Sequence, residues 1–262
     1  MPAFTTPAIV IRRADYSDYD RMITLFSPEM GRVDAIARGC RRPKSPLVNA
    51  VEPFTSGEFQ LYAHRERLSL EQCQISESFL DLRADYDRLV HGVYWLKLLD
   101  AALQPDVPLP QLFLITLRAL AYLSYGELPP ELVTMAFEMH FMAQNGIAPR
   151  MDVCMRCGRP VDGDARFDAW LDGAVCLSCP SNAPRISNGA RRIIMKLPRT
   201  AFDKFQLVYD RPEWPEAARR FREYVNAKLH MEKFAPPLFS EDEKETRVFF
   251  SPGDSQTGKN SI

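Results

Sequence analysis

Four of the six cysteines in this 262-residue chain fall as two matched pairs. The run reads Cys154-Met155-Arg156-Cys157, then eighteen residues, then Cys176-Leu177-Ser178-Cys179. Thiolates two residues apart share one tight turn and face the same side. Two such turns opposed supply a tetrahedral four-sulfur shell, which suits zinc. Iron uses the same donors, but the symmetric spacing fits a single zinc ion better. A redox Cys-x-x-Cys would need a βαβ context that the pattern lacks, and two disulfides would need an oxidising compartment. Four sulfurs leave no open position for water or substrate, so the expected Zn²⁺ is structural. Between the pairs, Arg166–Val175 reads as a hairpin turning near Asp172-Gly173, which returns the second pair to the first. The metal is expected to tie together a loop-rich segment with little core of its own. Cys40 and Cys73 stand apart and read as small buried thiols in strands.

A second chemical signal is cationic. Arg38-Gly39-Cys40-Arg41-Arg42-Pro43-Lys44-Ser45-Pro46 holds four positive charges and no acid. Arg12 and Arg13 lie in a predicted strand before it, and Arg32 opens another. Clustered cations neutralise phosphates and release counterions, while Phe54, Phe59 and Tyr62 nearby offer faces for unpaired bases. A short charge run also describes an ordinary solvated loop. The net charge of −1 and pI of 6.5 stand below the basic range of about 9 common in nucleic-acid-binding domains. Two further basic sets, Arg185/Arg191/Arg192/Lys196/Arg199 and Arg219/Arg220/Arg222/Lys228, read as solvated helix faces. No phosphate-binding Gly-rich loop and no His-Glu-x-x-His occurs, and His64, His91, His140 and His230 are scattered. Asp15, Asp18 and Asp20 lack the glycine and closing glutamate of a calcium loop. No active site is expected.

The elements that must position these groups change character along the chain. Thr6–Arg13, Arg21–Phe26, Arg32–Arg38, Gly57–Ala63 and Leu68–Ser76 read as five short strands, the last pair joined at His64-Arg65-Glu66-Arg67. Such a set suits a small barrel, either OB-fold or SH3-like. From about Phe79 the period becomes helical: Leu82–Leu103, Gln111–Tyr125 and Glu131–Gln144, apolar around their circumference and therefore buried. The Met and aromatic stripe Met135/Phe137/Met139/Phe141/Met142 reads as packing. Ser187 reads as the N-cap of a helix through Lys196, and Pro215–Lys233 as the last helix. The polar tail from Ser240 reads as disordered. No apolar run approaches the roughly 18 residues of a membrane span, and the start lacks a secretory signal. Both readings place the chain in the cytoplasm.

The stretch Asp15–Arg32, followed by Ala37-Arg38-Gly39-Cys40-Arg41-Arg42-Pro43-Lys44-Ser45 and by Glu52-Pro53-Phe54-Thr55, resembles the amino-terminal signature of the RecO family of bacterial recombination mediators. The order helices, Cys-x-x-Cys, Cys-x-x-Cys, helix is also similar, and the resemblance spans roughly residues 5–235. It implies an α+β multidomain protein: a five-stranded OB-fold barrel over 1–79, an all-α domain over 80–239 with a zinc-ribbon-like insert at 150–183, and a tail over 240–262. It also implies binding to single- and double-stranded DNA, annealing of complementary strands, and work with RecR in loading RecA onto DNA coated by single-stranded DNA-binding protein. Arg38, Arg41, Arg42 and Lys44 become the leading DNA contacts. Cys40 departs from the small residue expected there, and the last helix, with Asn226, Met231 and Glu232, is less basic than the family pattern. The competing reading from another class is a zinc-stabilised protein-interaction scaffold with little direct DNA binding. A metal-dependent hydrolase is disfavoured by four sulfur ligands and the missing general base.

Overall fold

A computed structural model describes residues 3–64 and 67–230. The turn residues 65–66, the end of the last predicted helix and the tail from Ser240 lie outside the described residues. The first five strands are β1 (Ala3–Asp15), β2 (Arg21–Ser27), β3 (Gly31–Ala37), β4 (Ser56–His64) and β5 (Arg67–Glu77). Their order is β1-β2-β3-β5-β4, and β4 pairs back onto β1 to close a barrel. The β3–β5 contact is parallel, through Ala35↔Leu68 and Ile36↔Ser69, and the other pairs are antiparallel. This is the OB-fold arrangement, which strand pattern alone did not separate from an SH3-like barrel. One long strand serves two neighbours: the first half of β1 pairs with β4 and the second with β2, with a register shift between Val10 and Arg12. Such an irregularity bends a strand around a barrel corner.

Alternation along β1 explains how the barrel is attached. Ala8 and Val10 enter the barrel core with Ile23, Leu25, Val33, Phe59 and Leu61. Ile9 and Ile11 point the other way and join the core of the helices, as do Phe26 and Phe54. The barrel wall is therefore buried on both faces here. Gly31 sits at this seam with φ of +64°, and a Cβ there would overlap the carbonyls of Gln104 and Val107. Across the seam Arg32 N donates to Gln104 O (3.1 Å), Asp106 N to Met30 O (2.9 Å) and Leu109 N to Pro28 O (2.9 Å).

Three helices follow: α1 (Tyr86–Ala102), α2 (Pro110–Tyr125) and α3 (Pro130–Gln144). The first begins later than its apolar pattern suggested. Leu80–Arg83 form a 3₁₀ turn, and the Asp85 side chain then accepts from Arg88 N and starts α1 anew. Prolines open α2 and α3, where a missing N–H is harmless. The Met and aromatic stripe of α3 is packing: Met135, Phe137, Met139, Phe141 and Met142 are buried, and Phe137 stacks on Trp95 at 4.6 Å. Among the described residues no helix is long and apolar enough to cross a membrane.

The cysteine segment forms β6 (Ala165–Asp168) and β7 (Gly173–Cys176), with β8 (Arg185–Ile186) on the other edge of β6. Ser187 caps α4 (Asn188–Lys196) by accepting from Ala190 N. Short turns and the single-turn α5 (Gln206–Tyr209) lead to α6 (Trp214–Leu229). The insert has more core than its loop-rich sequence suggested: Phe167, Ala174, Val175 and Ile186 are buried in the same cluster as α1–α3.

Candidate metal centre and nucleic-acid interface

The β6–β7 hairpin pairs Ala165 with Cys176 and returns the second cysteine pair to the first. All four Sγ atoms of Cys154, Cys157, Cys176 and Cys179 lie within 4.8 Å of one another, and Cys157 and Cys176 are 3.9 Å apart. A tetrahedral shell with metal–sulfur bonds of about 2.3 Å has sulfurs about 3.8 Å apart, so the cluster is already close to the size of a single ion. Each pair rides a tight turn: Gly158 N donates to Cys154 O (2.8 Å) and Cys179 N to Cys176 O (3.1 Å).

The surroundings favour the thiolate at Cys154 and Cys157. Burial alone would raise the Cys154 thiol, but amide donors from Cys176, Cys157 and Arg156 outweigh it and hold the group down to about 6. The Cys176 amide lies 3.3 Å from Cys154 Sγ. Arg159 Nε approaches Cys157 Sγ at 3.5 Å and lowers that thiol too. Hydrogen bonding to Cys176 and Cys157 pushes the Cys179 thiol the other way, up to about 12. A bound metal ion would favour the thiolate form of all four, and the amides and guanidinium would offset part of their negative charge. The donor set fits a metal ion, and it is the sole cluster of this kind among the described residues.

The predicted cationic residues separate into two groups. Arg12, Arg13 and Arg32 are bound up in the fold. Arg32 pairs with Asp34 (3.0 Å) and Asp100 (2.6 Å), Arg12 reaches Asp100 (3.4 Å), and Arg13 pairs with Glu52. Glu52 also takes Arg21 (3.2 Å) and Arg83 (3.6 Å). These contacts hold the barrel wall and join it to α1. The turn after β3 behaves differently. Arg38, Arg41, Arg42 and Lys44 are all exposed. Arg41 meets Asp15 at 3.3 Å, while the other three make no ion pair within 4 Å among the described residues.

That turn is fixed to the β1–β2 connection. Gly39, at φ of +65°, gives its N–H to the Asp20 carboxylate (2.8 Å), and Arg41 N donates to Tyr19 O (3.0 Å). The Gly39 amide is the main reason Asp20 titrates below the usual carboxylate range. The acidic triplet is thus a polar connection, not a cation site. Arg42 lies over the Tyr19 ring at 5.1 Å. Tyr16 and Tyr19 are about half exposed beside the loop. These tyrosines, rather than Phe54 and Phe59, are the aromatic faces available. Phe54 and Phe59 are core residues, and Tyr62 alone of the predicted three is exposed. Their signal was the alternation of Tyr with Asp and Ser in Asp15-Tyr16-Ser17-Asp18-Tyr19, which reads as a turn. Cys40 is buried in the turn itself and fills the barrel mouth, not a strand; Cys73, in β5, is only partly buried.

Comparison with known proteins is consistent along nearly the whole chain. Residues 1–79 match the family described as Recombination protein O N terminal, and residues 83–234 match Recombination protein O C terminal. A DNA repair protein RecO of Anaeromyxobacter sp. (strain K) is 33% identical over 225 residues, covering 84% of this chain and 88% of the relative. One of Acetivibrio thermocellus is 31% identical over 192 residues, covering 72% and 76%. One of Moorella thermoacetica is 28% identical over 230 residues, covering 84% and 85%. With an OB-fold barrel, a helical domain and a four-cysteine hairpin in that order, the chain belongs to the RecO family of DNA repair and recombination proteins.

Proposed function

We propose that this protein is a non-catalytic recombination mediator of the cytoplasm. In this reading it binds single- and double-stranded DNA, anneals complementary strands, and acts with RecR to load RecA onto DNA covered by single-stranded DNA-binding protein. The observation that carries the reading is the loop after β3, where Arg38, Arg42 and Lys44 stand in solvent and make no ion pair within 4 Å among the described residues. Phosphate contacts of this kind grip a backbone with little sequence preference. A cationic surface also lowers the repulsion between two strands and leaves their bases free to pair, so annealing needs no general acid or base.

Cys154, Cys157, Cys176 and Cys179 hold one structural Zn²⁺ in this reading. Zinc chemistry here is that of a cross-link, since four sulfurs leave no site for water. A second reading, a zinc-stabilised interaction scaffold, is favoured by the near-neutral net charge and by the internal pairing of Arg12, Arg13 and Arg32.

Anisotropy of a labelled oligonucleotide over a salt series separates the two. Combined Arg41→Ala and Arg42→Ala is expected to weaken binding and to flatten the log–log salt slope by roughly 1.4, two single-strand phosphate contacts at about 0.7 each. Unchanged affinity and slope would remove the loop from the DNA site, and no binding at low salt would favour the scaffold.

A further inference from the structure

The loop between β6 and β7 leaves the indole of Trp170 91% exposed, while Trp95 and Trp214 are 0% and 3% exposed. Exposed indoles forgo a large burial gain, so one held in solvent points to a use. The loop is not slack. Asp168 Oδ1 accepts from Trp170 N (3.1 Å) and Leu171 N (3.3 Å), and its Oδ2 accepts from Ser181 Oγ (3.1 Å). Trp170 borders a cleft of about 570 Å³ whose walls include Phe167, Tyr224, Arg156 and Arg220, a size usual for ligand sites of about 300–1,000 Å³. Its acids are engaged: Asp168 by the three donors above, and Glu223 by Arg220 at 2.9 Å. Arg156, inside the first cysteine pair, is exposed and makes no ion pair among the described residues.

We propose that the cysteine module carries a second contact for single-stranded nucleic acid, in which an unpaired base stacks on Trp170 and an adjoining phosphate meets Arg156. The proposal rests on the reading of this chain as a DNA binder but not on the loop after β3. An open indole face beside an unpaired guanidinium is the combination that single-strand sites use, because every base offers a π-face. An acidic peptide is the competing occupant. Its docking would call for enclosed apolar pockets, whereas Trp170 offers an open ring.

Intrinsic fluorescence tests this directly, since Trp170 is the solvent-exposed indole of three in the chain. Titrating the full zinc-loaded chain with an oligo(dT) is expected to quench the exposed emission. By anisotropy, Trp170→Ala should lose about five-fold or more in affinity, equivalent to a stacking contribution of about 1 kcal/mol. Trp170→Phe should retain most of the affinity, Arg156→Ala should lose a few-fold, and every variant should keep its zinc. Oligonucleotide binding without quenching, and with wild-type affinity in Trp170→Ala, would sink this contact and leave the other DNA surface standing. No oligonucleotide binding at all would sink both. Quenching by a synthetic peptide of residues 240–250, which joins an acidic run to Phe249-Phe250, but not by oligo(dT) would reassign the cleft to peptide and overturn the proposal.

Discussion

The cysteine hairpin and the helices beneath it share one apolar core but are held on their outer sides by different chemistry. In the hairpin Phe167, Ala174 and Val175 pack like any core residues. At its open end stand four sulfurs: Cys154 is buried in that core, Cys176 and Cys179 pack against it, and Cys157 is exposed. The helical bundle instead buries polar groups and pairs them in part within the chain, leaving Glu138 Oε2 and Arg222 Nε and Nη2 without a hydrogen-bond partner among the described residues. Arg222 of α6 donates to Glu138 of α3 at 2.6 Å, and Tyr94 of α1 donates to the same oxygen at 2.6 Å. Glu138 is completely buried, and burial pushes its carboxyl up against the pull of Arg222. One region therefore offers donors to a ligand from outside the chain, and the other holds a charge pair made within it.

The largest expected effect breaks the first arrangement. Structural zinc in small peptides contributes roughly 10–16 kcal/mol of apparent binding energy near neutral pH, more than the total stability of most domains. Cys154→Ser, or a strong chelator, is expected to release one equivalent of zinc and to expose residues 150–183 to protease. The barrel should keep its fold, because its core of Val10, Ile23, Leu25 and Phe59 is separate. Metal content and the sites of limited proteolysis check this. A metal-free variant with a protease-resistant hairpin would show that the inner apolar face suffices.

The second arrangement breaks at Arg222. Its side chain is 13% exposed and Glu138 is 0% exposed, so solvent screens the pair little. Arg222→Met strands Glu138, and removing one partner of such a pair costs about 3–5 kcal/mol, read as a fall in the urea midpoint with zinc retained. Adding Glu138→Leu should recover much of the loss, since an apolar replacement of both partners is often close to neutral. If the double variant is no better than the single one, the α3–α6 contact is held by shape and not by charge.

How much of this was legible in the sequence follows the range of the interactions. Ligand spacing and strand alternation are local, so the four cysteines, the five strands and the Ser187 cap could be read from neighbours in the chain. Charge pairing is not local. Arg222 meets Glu138 eighty-four positions away, and Arg32 meets Asp100 sixty-eight away, so neither could be told from a solvated cation. Arg191 looked like part of a basic helix face but is buried, its guanidinium giving hydrogen bonds to Met151 O, Gly163 O and Asn188 Oδ1. Glu52-Pro53-Phe54-Thr55 carries the resemblance through packing: Glu52 collects arginines, Phe54 fills the seam against Gly92, and Thr55 O accepts from Val10 N. Strand β8 is two residues long and has no pattern to read.

The smallest effect sharpens the contrast through pH. His91 of α1 lies in the same buried region, its Nδ1 2.6 Å from Thr134 Oγ1. Burial first, and the nearby Arg222 charge second, push it down to about 4. An unfolded chain binds that proton near 6.5, so the unfolded state gains a proton that the native state refuses. Stability contributed by the neutral imidazole is complete above about pH 6.5 and drains away as pH falls toward 4. Between pH 7 and pH 5 the loss is about 2 kcal/mol from linkage. His91→Gln removes this proton and keeps a polar group for Thr134, so its urea-unfolding free energy should fall by about 2 kcal/mol less over the same interval. Equal slopes for the two proteins would mean that the native state accommodates imidazolium beside Arg222. The bundle would then tolerate charge in a way that the burial of His91 and the nearby Arg222 argue against.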